Sequence, residues 1–110
     1  MVDDIEEIEV KVGSGNLWAD IGRADAEEAF ARAQLMSRIT DLIRERGLTQ
    51  AKAAKLLGTT QPTVSDLMRG KLSLFSLERL MSFLNALDQD VEIVVTPKQA
   101  DGAARIRVTA

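Results

Sequence analysis

The residues whose types and spacing best suit polar recognition are two amides, Gln50 and Gln61, and the hydroxyls Thr60, Thr63 and Ser65. A Gln amide can pair with adenine through its oxygen and nitrogen together. A Thr or Ser hydroxyl can donate or accept, and Thr can offer its methyl to thymine. These residues lie within Thr49–Lys71, TQAKAAKLLGTTQPTVSDLMRGK. Catalysis has less to work with. The chain has no His and no Cys, which removes the commonest general base, thiolate nucleophiles, disulfides and most metal ligands. Acids are plentiful, yet no pair of carboxylates stands out beyond ordinary helix-surface spacing, and no Gly-rich phosphate loop is present. The chemistry on offer is recognition, with no catalytic, metal or cofactor site.

Charge supports the same segment. The whole chain carries −3. Residues 1–20 hold six acids and one base, and residues 21–46 balance five against five. Residues 47–72 set Lys52, Lys55, Arg69 and Lys71 against Asp66 alone. Residues 73–97 sum to −3 and residues 98–110 to +2. Screening limits a charge to a reach of about 10 Å, so the local surplus matters more than the total. No apolar run approaches the roughly 20 residues of a membrane span. The amino terminus opens with acids, unlike a signal peptide. A cytoplasmic, prokaryotic protein is the expectation.

The 110 residues predict one domain. Residues 1–20 read as an acidic arm. Within it Ile8, Val10 and Val12 alternate with Glu9 and Lys11 as in a short strand, and Gly13-Ser14-Gly15-Asn16 breaks regular structure. Trp18 either packs on the helical body or anchors a partner protein. Residues 21–89 read as a helical domain. Asp25 caps a long first helix, with Glu27 and Glu28 in its first turn and Arg44 and Arg46 in its last. Leu35, Ile39, Leu42 and Ile43 form its apolar stripe, widened by Phe30 and Met36, and Gly47 ends it.

Thr49 caps a second helix, Ala53, Ala54 and Leu57 face inward, and Gly58 closes it. Thr60 caps a third, where Pro62 is tolerated because the first turn lacks an internal partner for its N–H. Val64, Leu67 and Met68 point inward; Gln61, Pro62, Ser65, Asp66 and Arg69 point outward. Ser76 caps a fourth helix, with Leu77, Leu80, Met81, Leu84 and Leu87 on its apolar face. Residues 90–110 then change period. Val91, Ile93 and Val95 alternate like a strand, which needs a partner for its backbone. Asp101-Gly102 and the alternation of Ile106 and Val108 allow a hairpin, and a frayed tail fits as well.

Two short helices joined by a Gly turn, the second opening with Gln and hydroxyls, form a helix-turn-helix. A helix fits the major groove and its first residues reach base edges. Backbone N–H groups at helix starts meet phosphate oxygens, and Gln50 is placed for such a contact. Lys52, Lys55, Arg69 and Lys71 are candidate phosphate contacts or solvated surface charges.

Thr49-Gln50, Ala54, Gly58, Thr60-Gln61, Val64-Ser65 and Gly70-Lys71 resemble the Cro/repressor-type helix-turn-helix of the Xre superfamily. The wider pattern of GNLWADIG, ITDLIRERGLTQ, TQPTVSDLMRGKL, FSLERL and VEIVV is similar to small Xre antitoxins of the HigA type. The resemblance implies a mainly α, Cro/repressor-like bundle of four to five helices, with a C-terminal β-strand. It implies that Gln61 reads a base, that Pro62 and Asp66 face the groove beside it, and that Thr60 and Gln50 hold phosphates. Thr63, Ser65, Arg69 and Lys71 complete the expected DNA-binding set. Pro62 departs from the polar residue often found there and can touch a thymine methyl only. Asp66 either accepts from a cytosine amino group or orders its neighbours. The resemblance further implies a RelE/HigB-like ribonuclease toxin as partner and repression of the chain's own promoter.

Three functions are weighed: a repressor that also neutralises a toxin, a repressor without one, and a protein-interaction module on the same fold. The acidic ends would attract a basic toxin, or they form a solubilising tail. One recognition helix covers too few base pairs for selectivity, so a homodimer placing two of them roughly 34 Å apart on an operator is expected. Val91–Val95 and the fourth helix are the expected dimer interface.

Overall fold

The structure, a computed structural model, describes residues 15–98 and 105–109. It is built from α1 (Gly15–Glu45), α2 (Gln50–Leu57), α3 (Gln61–Met68), a 3₁₀ turn (Leu72–Leu74) and α4 (Leu77–Ala86). The strand read into residues 8–12 and the side-chain packing of Trp18 lie outside the described residues.

The core forms where the apolar stripes of the four helices meet. Ile39 and Ile43 of α1, Val64 and Leu67 of α3, Leu80 of α4, and Leu87 just beyond it are almost wholly buried. Ala53 and Ala54 of α2 are buried too. Their small side chains let α3 approach α2 closely. Phe75 and Phe83 pack edge to face, with centroids 6.3 Å apart.

The helix ends follow from local chemistry. Thr49, Thr60 and Ser76 each accept a backbone N–H with the side-chain oxygen, from Lys52, Thr63 and Arg79 respectively. Gly58 ends α2 at φ 71° and ψ 35°, a left-handed geometry that side chains with a Cβ resist. Thr59 N–H then reaches back to the Ala54 carbonyl at 2.9 Å. At the end of α1, Arg46 donates to the Leu87 carbonyl and pairs with Asp88 at 3.6 Å. That latch joins the carboxyl ends of α1 and α4.

Three expectations are corrected. Asp25 does not cap α1, and Glu27 and Glu28 are not in its first turn, because the helix already begins at Gly15. Adding a residue to a formed helix is cheap, and Leu17–Arg23 holds few residues that resist it. Glu27 instead accepts from Arg105 at 3.2 Å and from the Ile106 N–H at 3.1 Å. Phe30 does not widen the apolar stripe and is 66% exposed. Nine residues at about 100° each set it on the side of α1 opposite Ile39. Arg32 donates to the Leu72 carbonyl at 2.7 Å, fastening the 3₁₀ turn to α1.

The third correction concerns the C-terminal strand. Residues 91–98 run without regular structure, and no strand is formed among the described residues. Ile93, Val94 and Val95 are all exposed, so both sides of the alternation face away from the core. Ladder hydrogen bonds define a strand, and an apolar alternation cannot supply the second ladder by itself. Residues 105–109 are likewise irregular and dock on α1 through Glu27.

Candidate nucleic-acid interface

The residues singled out from the sequence gather on α3 and its two ends. At the amino end, Thr60 sits in extended backbone as the cap. Its Oγ1 accepts from the Thr63 N–H at 3.3 Å and lies 2.9 Å from Thr63 Oγ1. The Thr60 hydroxyl keeps a hydrogen to give, either to Thr63 or to an incoming acceptor. Gln61 and Pro62 follow in the first turn and are exposed, with Thr63 half-buried behind them. Pro62 occupies a position that has no helical N–H bond to lose. Val64 and Leu67, both 1% exposed, fasten the inner side of α3 to the core. The outer side is thus presented on a rigid support.

Ser65 and Asp66 are half-buried in the middle of α3. Asp66 Oδ1 accepts from Arg69 Nη2 and from Lys71 Nζ, each at 3.3 Å. Lys71 reaches back because Gly70, at φ 76°, reverses the chain and the Lys71 N–H bonds the Asp66 carbonyl. Desolvation of Asp66 favours its protonated form. The hydrogen bonds from Lys71 and Arg69 and their positive charge outweigh that, and the carboxyl lies below its ordinary value of 3.8. Of the two readings of Asp66 from sequence, the geometry includes the ordering of neighbouring side chains. Arg69 and Lys71 remain exposed.

Gln50 stands at the start of α2, half-buried, with its amide 4.0 Å from the Met68 sulfur. The start of α2 therefore lies beside the far end of α3, away from Thr60 and Gln61. Lys52 and Lys55 are exposed on α2. Arg79, absent from the expected set, donates from Nη2 to Thr59 Oγ1 at 3.3 Å, at the turn between α2 and α3. Its guanidinium also lies over the rings of Phe75 and Phe83. A Phe-Arg-Phe series at intervals of four was the available signal. Among the described residues no cluster of acids could hold a metal ion, and no helix is long and apolar enough to cross a membrane.

Two short helices meeting at a left-handed Gly, with the second capped, exposed at its start and braced by α1 and α4, define a helix-turn-helix protein. Residues 17–96 match the family model described as a helix-turn-helix domain, and the chain belongs to that family. It is of the Xre type. A solved structure described as an XRE family transcriptional regulator is 50% identical over 78% of this chain and 98% of that one, with a TM-score of 0.74. No curated protein matches the chain. The expected helix-turn-helix bundle is therefore found, without its strand.

Proposed function

We propose that the chain is a sequence-specific DNA-binding transcriptional repressor, working as a homodimer in a prokaryotic cytoplasm. One observation carries this reading: the amino end of α3 presents Gln61 and Pro62 to solvent on a support fixed by Val64 and Leu67. An α-helix with its side chains is about 10–12 Å across, close to the width of a major groove. In this reading Gln61 pairs with a base. Pro62 rests on a thymine methyl, and Thr63 and Ser65 offer hydroxyls beside it. Thr60 and Gln50 meet phosphates, as do Arg69 and Lys71 once they leave Asp66. The reading assigns no catalytic step and needs no cofactor.

Gln61→Ala tests it. The expected loss on the operator is about 1–3 kcal/mol, with little change on random duplex. Equal losses on both would reduce Gln61 to a phosphate or structural contact.

A second reading adds a RelE/HigB-like toxin as partner, making the chain an antitoxin that represses its own operon. The six acids among residues 1–20 favour it, since a basic ribonuclease would be drawn to them. Co-expression with a small basic protein encoded beside this one should give a stable complex. If no such neighbour exists, or the two proteins elute apart, the chain acts as a repressor alone.

A further inference from the structure

Arg79 differs from the other cations at the ends of α3. Arg69 and Lys71 are both held by Asp66. Arg79 is paired with no carboxylate among the described residues, and it is exposed. Two rings hold it instead. Its guanidinium carbon is 5.3 Å from the Phe75 centroid and 5.5 Å from the Phe83 centroid. Both rings are buried at their own positions, so the support is fixed. Contact with a ring face attracts the cation without consuming its N–H groups. An Arg has five such donors, and among the described residues one bond, to Thr59 Oγ1, engages one of them.

The position matters as much as the unused donors. Thr59 directly precedes Thr60, the cap of α3. The guanidinium therefore stands at the amino end of α3, beside the residues read as facing a groove. Arg69 and Lys71 stand at the opposite end. A helix whose first turn enters a groove brings the preceding turn to the groove's lip, where phosphates lie. A planar guanidinium suits two phosphate oxygens at once. The two rings and Thr59 have already restricted the rotamers that such a contact would otherwise have to freeze.

We infer that Arg79 binds a DNA phosphate, held ready by Phe75 and Phe83, and that the DNA-facing surface extends past Lys71 onto α4. The inference rests on the DNA-binding reading above. The competing role is purely internal, with Arg79 joining α4 to the turn between α2 and α3.

Salt titration separates the two roles. The intact chain, Arg79→Gln and Arg79→Lys are titrated on a random duplex and on the DNA upstream of the chain's own coding sequence, with thermal midpoints recorded for all three proteins. Arg79→Gln should weaken binding to both duplexes by a similar factor, about tenfold at low salt. Its slope of log affinity against log salt should be shallower by about one, and Arg79→Lys should restore it. A wild-type slope in Arg79→Gln overturns the inference, whatever the affinity or thermal midpoint does. If the unaltered protein binds neither duplex, the DNA-binding reading fails and this inference fails with it.

Discussion

In the proposed DNA-binding role, Asp66 would compete with phosphates for its own neighbours. Its one oxygen holds both Arg69 and Lys71, the cations that a phosphate would need. In the DNA-binding reading, nothing on random DNA would compensate for breaking those bonds, whereas base contacts on an operator would. Asp66→Asn should therefore bind random duplex more tightly and with a steeper salt slope, narrowing the gap between operator and random DNA. An unchanged affinity for random DNA would mean that both cations are already free to turn. The sign of the pH effect follows from the lowered pKa. The ion pairs contribute fully above the ordinary aspartate value of 3.8 and are lost as pH falls through the lower folded value. The thermal midpoint of the native chain should thus approach that of Asp66→Asn on acidification within that window. At this scale Thr60, Gln61 and Pro62 were legible, because a cap and a helical period settle which residues open a helix and which face out. The partners of Asp66 were not, since Lys71 joins it only after Gly70 turns the chain. Arg79 was half legible: its spacing to two Phe residues is local, but Thr59 is 20 residues away.

Among the elements, the turn from α2 to α3 sets where the exposed start of α3 points. Gly58 holds a left-handed backbone, and a Cβ built there meets nothing within 4 Å. A side chain at Gly58 would thus be penalised by backbone strain alone. Gly58→Ala should lower stability by about 1–2 kcal/mol, and Gly58→Asn by clearly less, because Asn visits this region more readily. Urea midpoints compare the two; equal losses would show that crowding, not strain, governs the turn. Helices α2, α3 and α4 could be read almost to the residue, since the caps Thr49, Thr60 and Ser76 and the glycines Gly58 and Gly70 after α2 and α3 are strong local punctuation. The start of α1 could not. Gly15 and Asn16 are weak helix formers, but they extend a helix already nucleated, and a breaker is judged by its neighbours. No strand forms over residues 91–95 among the described residues, for the reverse reason. Its pattern is local, whereas its hydrogen bonds belong to a second segment that no pattern within it names.

On the scale of the whole molecule, residues 91–95 are the most conspicuous apolar surface. Ile93, Val94 and Val95 are 74%, 70% and 91% exposed. Two such segments paired across a two-fold axis would satisfy each other's backbones and cover these side chains. Ile93→Pro should then shift the protein toward monomer in sedimentation and weaken operator binding, because Pro removes a ladder donor. A dimer of unchanged strength would place the interface elsewhere. The latch of Arg46 onto Leu87 and Asp88 gives such a pairing a further meaning. It clamps the root of the C-terminal segment to the same body that carries Gln61, so the two probes of a joined pair would be mounted like the prongs of a stiff calliper. Such a gauge cannot stretch. One base pair inserted between the halves of its operator would put one prong out of phase with its groove, and the protein would let go of the DNA sooner than bend to follow it.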